Sequence, residues 1–246
     1  MRRYPSYASS YSFGSGRLST AIKALIVANV VVFVAQFFFP IITDVLGLRP
    51  ARVVGYLWVW GLATYMFLHG SFFHIIFNML ALWMFGTELE RTWGTRYFLK
   101  FYAVTGIGAG ALSVLFALLP FGFAQQVLRS NIIGASGAIY GLLLAYALYF
   151  PDRPIYMYFV FPIPAKVFVA IIGAIAFLSS LSDAGGTANA THLGGLLVGY
   201  LFLKSARIHP WSEVKYRYLK WKITRLRRKF DVYSGGRADD WDRRVH

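Results

Sequence analysis

The 246-residue chain contains no cysteine, and only 14% of its residues are charged. The first absence excludes disulfides and thiolate metal sites. The second sets the chain apart from soluble domains, in which about a quarter of residues are Asp, Glu, Lys or Arg. Acidic side chains are scarcest: ten Asp and Glu stand against 25 Lys and Arg, a formal net charge of +15. What fills the chain instead is apolar, 57% of it. A soluble fold of this length has too little interior to hide that surface, and a disordered chain would not carry it. The composition is that of an integral membrane protein.

The positive charge is unevenly placed, with +8 of it in the last 46 residues, from Leu201 to His246. The basic groups flank apolar runs, so attraction to anionic lipid headgroups accounts for them better than nucleic acid does. Anionic lipid is therefore the partner expected for the basic tail, and nucleic acid is not expected.

A transmembrane helix needs about 20 mainly apolar residues. Six segments approach this: 21–39, 71–87, 97–119, 136–150, 166–182 and 192–204. No small-residue cleavage motif follows Phe37-Phe38-Phe39-Pro40, so the first reads as a retained helix rather than a signal peptide. Arg2, Arg3, Arg17 and Lys23 stand before or at the start of the first span. Arg91, Arg96 and Lys100 lie around the second junction, and Arg153 and Lys166 around the fourth. The opposite loops contain only Arg49, Arg52 and Arg129. By the positive-inside rule both termini are cytoplasmic, which an even number of spans requires.

The expected fold is thus an all-α membrane protein, a six-transmembrane-helix bundle. A polar cytoplasmic N-terminus occupies 1–20, the helical domain 21–204, and a basic cytoplasmic tail 205–246, partly helical and then disordered. Within the tail, Trp211, Tyr218, Trp221 and Leu226 alternate with Lys215, Lys222, Arg225 and Lys229. That mixture suits either a basic helix on the membrane surface or a solvated tail. The first loop, about 40–70, is mostly apolar, and Tyr56-Leu57-Trp58-Val59-Trp60 suits the headgroup layer. No amphipathic, Arg-rich and acid-poor leader is evident, so a bacterial cytoplasmic membrane is expected rather than an organelle.

Polar side chains retained in hydrocarbon are costly and therefore informative. Ser136 starts a span within Gly134-Ala135-Ser136-Gly137-Ala138-Ile139-Tyr140-Gly141. Gly137 and Gly141 form a small-residue contact face, which alone would explain a serine there. Yet a hydroxyl at a helix N-terminus lies beside free N–H groups and the positive dipole end, a setting for a nucleophile and its oxyanion. His192 opens the last segment, with Gly195 and Gly199 on its own helical face. It could merely cap the helix; if the glycine stripe packs on the Ser136 helix, it becomes the base that serine needs. His74 and Asn78 share one face of the second span. They suit interhelical hydrogen bonds or donation to an oxyanion, and are too few to hold a metal. His69 reads as a loop histidine, and Asp183 is a candidate third member of a triad near the loop between spans 5 and 6.

Together these motifs resemble the rhomboid family of intramembrane serine proteases. The resemblance covers about residues 60–204 and includes Gly86-x-x-x-Glu90-x-x-x-Gly94, similar to that family's GxxxExxxG signature. It implies a dyad of Ser136 as nucleophile and His192 as base, with no cofactor. It also implies an oxyanion hole of the Ser136 N–H, His74 and Asn78, entered by the loop at Gly134, with Tyr140 stacked beside the histidine. The implied substrates are single-span membrane proteins cleaved in their transmembrane segments; a catalytically inert relative that binds membrane clients is the alternative. Two features depart from the family pattern: the Trp-Arg pair of the first loop is absent, and Thr191 stands where Ala commonly precedes the histidine. Finally, the resemblance implies substrate entry beside the first loop and span 5. Gly173, which breaks up that span, and Pro162, Pro164 and Gly185-Gly186 at its borders would ease its lateral displacement as a gate, though the same residues would suit a plain short helix.

Overall fold

Apolar runs become helices, and local chemistry sets their ends. The computed structural model describes residues 18–120, 122–157, 161–180, 186–207 and 220. Helix α1, Thr20–Phe38, begins at Ser19, whose hydroxyl accepts the Ile22 N–H, satisfying one of the donors a helix start leaves open. Three short helices follow in the first loop: α2 Ile41–Leu46, α3 Pro50–Tyr56 and α4 Gly61–Thr64, then a 3-10 turn at Tyr65–Phe67. Ser71 caps the next helix through the His74 N–H. That helix runs unbroken from Phe72 to Trp93 as α5 Phe72–Ala81, a π-helical segment Leu82–Gly86 and α6 Thr87–Trp93. Gly94, at φ +80°, turns the chain into α7, Thr95–Ala117. Then come α8 Gly122–Arg129, α9 Ser136–Tyr149, α10 Ala165–Ser180 and α11 Gly186–Arg207.

Three of these, Thr20–Phe38, Phe72–Trp93 and Thr95–Ala117, are by length and composition able to cross a membrane alone; α9 and α10 are shorter apolar helices. Nine of the 14 residues of α9 are buried, whereas α1 exposes Val31, Phe37 and Phe38, and α10 exposes Ile175, Phe177 and Leu178. In water such a rim would be unstable; in a bilayer it is the lipid-facing surface. The protein is an integral membrane protein with α9 enclosed by its neighbours.

Small residues bring the helices together. A methyl added at Gly195 would overlap the Gly137 carbonyl oxygen, and one at Gly199 would lie 3.1 Å from Gly141 Cα. The two glycine stripes therefore face each other, and α11 lies against α9. The glutamate of the Gly86–Gly94 signature is a tie point. Glu90 accepts from the Ser19 hydroxyl at the start of α1 and from Thr95 Oγ1 at 2.7 Å.

The structure differs from the sequence expectations in several places. Helix α10 runs without a break through Gly173, because one glycine costs a helix only about 1 kcal/mol. Helix α11 begins at Gly186, so His192 lies in its second turn rather than opening it. Residues Pro154–Met157 and Phe161–Pro164 form a two-stranded antiparallel hairpin, β1–β2, while the other elements among the described residues are helical. The first loop is anchored without the family's Trp-Arg pair. Asp44 pairs with Arg49 and Arg52, Arg52 stacks 4.7 Å over the Trp58 ring, and Trp60 Nε1 donates to the Val45 carbonyl at 2.9 Å. The Arg52 hydrogen bond holds the Asp44 carboxyl below the usual aspartate range. The N-terminus to residue 17, Asp183, Gly185 and the Trp211–Phe230 tail apart from Lys220 lie outside the described residues. The chain divides into two units between Leu203 and Lys204.

Candidate active site

Ser136 is the first residue of α9, so its N–H has no acceptor within the helix. The segment entering it is strapped down on both sides. Leu48 and Ile132 exchange backbone hydrogen bonds of 3.0 and 2.8 Å, the Asn131 side chain donates to the Thr43 carbonyl at 2.9 Å, and Gly134 N–H donates to the Tyr65 carbonyl at 2.9 Å. Gly134 has φ +121°, a conformation that disfavours any side chain. Its bare backbone also leaves room for His74: a methyl there would lie 2.7 Å from the imidazole Cε1 and Nε2, and 3.7 Å from Ser136 Oγ.

On the other side, His192 Nε2 lies 2.9 Å from Ser136 Oγ, across 56 residues of sequence. The Tyr140 ring, one turn along α9 from the serine, stacks on the imidazole with centroids 4.2 Å apart and planes 6° from parallel. His192 Nδ1 is buried and has no hydrogen-bond partner among the described residues. For Nε2 to take the serine proton, Nδ1 must carry the ring's own proton. Ring stacking by Tyr140 and the packing of α11 on α9 hold the imidazole in this position.

His74 lies on the opposite side of Ser136. Its Nδ1 accepts the Gly70 N–H at 3.4 Å, so in the neutral ring the proton sits on Nε2, on the edge facing Gly134 and Ser136. Asn78 uses one amide hydrogen on the His74 carbonyl, 2.8 Å away, and retains a second. A neutral imidazole N–H, an amide N–H and a helix-terminal backbone N–H are the donor types that stabilise a tetrahedral oxyanion. Gly134, Ser136, Tyr140, His192 and His74 thus belong to one neighbourhood, and Asn78 is bonded to the His74 carbonyl; Asp183, the candidate third member of a triad, lies outside the described residues.

Two residues at the site were not legible. His69, read as a loop histidine, is only 2% exposed and meets His74 edge to face, ring centroids 5.0 Å apart. Burial, with His74 nearby, lowers its pKa to about 4, so it is neutral at physiological pH. Its place two residues before Ser71, the cap of the next helix, was visible, but its burial was not. Thr191, buried beside the histidine, shares a 2.8 Å hydrogen bond with Ser113, which itself donates to the Ala109 carbonyl. The residue that departs from the family pattern therefore ties the start of α11 to α7. No cluster of three His, Cys, Asp or Glu able to hold a metal occurs among the described residues.

A family model described as the Rhomboid domain matches residues 57–206. The chain is 34% identical over 143 residues to "Rhomboid protein 1, mitochondrial" of Saccharomyces cerevisiae, covering 55% of this chain and 38% of that one. It is 34% identical over 141 residues to rhomboid protease GluP of Bacillus subtilis, covering 57% and 25%. With rhomboid protease AarA of Providencia stuartii it shares 30% identity over 158 residues, covering 58% and 54%. The match thus spans from a quarter to about half the length of these relatives.

Proposed function

Because the chain belongs to the rhomboid family, we propose that it is an intramembrane serine endopeptidase, with Ser136 as nucleophile and His192 as base, cleaving single-span membrane proteins. The observation that carries this reading is the 2.9 Å approach of His192 Nε2 to Ser136 Oγ under the Tyr140 ring. Six spans with both termini cytoplasmic, in a bacterial cytoplasmic membrane, complete the proposal; the charge distribution supports the topology. The basic tail adds attraction to anionic headgroups.

In the proposed reaction, Oγ attacks the carbonyl carbon of the scissile bond while Nε2 takes its proton. The carbonyl oxygen becomes an oxyanion facing the Ser136 N–H, His74 Nε2–H and the second hydrogen of the Asn78 amide. Collapse breaks the C–N bond, and the imidazolium returns the proton to the leaving amine. Water then attacks the acyl-serine ester by the same route, releasing the acid and restoring both side chains. Because a helix shields its own carbonyls, a substrate span must first unwind, and glycine or proline near the bond lowers that cost.

The same fold would suit an inert relative that binds membrane clients, but such a protein needs no serine within reach of a base. A fluorophosphonate probe with mass mapping separates the two. Labelling of Ser136, abolished in His192→Ala, together with cleavage of a single-span protein in liposomes, is expected. An unlabelled serine in folded protein would leave the client-binding reading.

A further inference from the structure

The hairpin at the far end of α9 has no part in the chemistry. Helix α9 spans 14 residues, so β1 starts about 20 Å along the axis from Ser136. Its root is fixed at several points. Ala165 N–H donates to the Arg153 carbonyl and Lys166 N–H to the Pro151 carbonyl, at 2.9 and 3.1 Å. Arg153 lies 2.6 Å from a Glu88 carboxylate oxygen and 4.1 Å above the Phe150 ring, and Lys166 pairs with Asp152 at 2.7 Å. Beyond this charged root the chemistry changes sharply. From Pro154 to Pro164 the sequence holds four aromatic residues and no charged residue, Gly, Asn, Asp or Ser, although water-exposed turns favour just those residues.

The pairing Pro154↔Pro164, Ile155↔Ile163, Tyr156↔Pro162 and Met157↔Phe161 sorts the side chains. Pro154, Tyr156, Pro162 and Pro164 share one face, and Ile155 is buried on the other. Tyr156 is 47% exposed and Phe161, at the tip end of β2, is 63% exposed, so apolar rings stand out on both faces. The three prolines have no N–H to offer an added strand, which argues against a peptide or second copy pairing along an edge. Moreover, β2 leads directly into α10, whose exposed Val167, Ile171, Ile175 and Leu178 continue the same apolar surface into the lipid-facing rim.

We propose that the β1–β2 hairpin is a membrane-interface anchor that seats Tyr156 and Phe161 in the headgroup and upper acyl layer of the leaflet opposite Ser136. The occupant of its surface is lipid. Aromatic rings are favoured at that depth because body and edge meet different solvents. The ion pairs of the root, held by Glu88 and Asp152, remain at the water boundary. In this position the hairpin holds the adjoining ends of α9 and α10 at a set depth, whichever reaction the other end performs.

The absence of native cysteine makes the test direct. Single variants Tyr156→Cys, Phe161→Cys and Asp152→Cys are spin-labelled and reconstituted into phosphatidylcholine/phosphatidylglycerol vesicles. Collision rates with oxygen, which partitions into lipid, are compared with those of a water-soluble nickel chelate. The oxygen-to-nickel ratio at 156 and 161 should exceed that at 152, whose side chain is 78% exposed, by several-fold. A ratio at 156 and 161 equal to that at 152 would place the hairpin in water and overturn the proposal. Low collision with both reagents would mean a protein covers it, which also overturns it. The unsubstituted chain gives a check that no folding defect can blur: a lipid-soluble diazirine should insert within the 154–164 peptide. Insertion confined to the helices would contradict the anchor.

Discussion

The ring of Tyr140 lies parallel to the imidazole of His192, 4.2 Å away, on the helix that Ser136 begins. One helix therefore presents the hydroxyl and, a turn later, the surface that orients the base. Aromatic pairs contribute about 0.5–1.5 kcal/mol beyond their area. Tyr140→Phe should keep the stacking and nearly the parent kcat, whereas Tyr140→Ala should lose roughly 2- to 10-fold. Cleavage of a single-span substrate in liposomes measures both. Equal losses in the two variants would assign the role to the hydroxyl instead.

The donors around Ser136 predict a graded series. Ser136→Ala and His192→Ala should be inactive, since the covalent route and its proton acceptor disappear. His74→Ala and Asn78→Ala should each cost about 100- to 1000-fold in kcat with little change in KM, because the contacts strengthen only in the transition state. The double variant should lose less than the product of the two losses, as both act on one oxygen. If His74→Ala is as dead as His192→Ala in protein shown to be folded, the assignment of base and donor is wrong.

Helix contact at Gly195 is required for the dyad to meet. Gly195→Ala places a methyl into the Gly137 carbonyl, and relief by moving α11 should cost about 1–3 kcal/mol. A lower thermal unfolding midpoint and loss of fluorophosphonate labelling are expected. Gly55→Ala is the control: a methyl there meets nothing within 4 Å, and in helix α3 it should be neutral or slightly stabilising.

Acid should loosen the first loop through Asp44. Its folded carboxyl is held down first by the Arg52 hydrogen bond. The resulting stabilisation is therefore present above the unfolded value of about 4 and is lost as pH falls through the lower folded value. Asp44→Asn should lower the unfolding midpoint at pH 7, and the gap to the parent should close on acidification below about pH 4. A gap unchanged between pH 7 and pH 3 would show that the ion pairs with Arg49 and Arg52 contribute nothing.

The sequence alone determined that this chain lives in a membrane and which of its polar residues stand out as candidates for a site. The reason is energetic: in hydrocarbon a retained serine, histidine or asparagine is costly and so conspicuous, whereas in a soluble core it would blend with others. Helix starts at Ser19 and Ser71 are local events, each set by a serine hydroxyl that accepts an N–H of its own first turn, and the segment boundaries near 20 and 72 follow from that. Tertiary structure decided everything that depends on distant parts of the chain meeting. His192 reaches Ser136 because Gly195 and Gly199 pack on Gly137 and Gly141, and no spacing along the sequence reports which stripe meets which. The same holds for Thr191 bound to Ser113, 78 residues away, and for the burial of His69 within the folded protein. The hairpin was hidden for another reason: an apolar run of eleven residues between Pro154 and Pro164 is too short to span, and only the pairing of its two halves reveals strands.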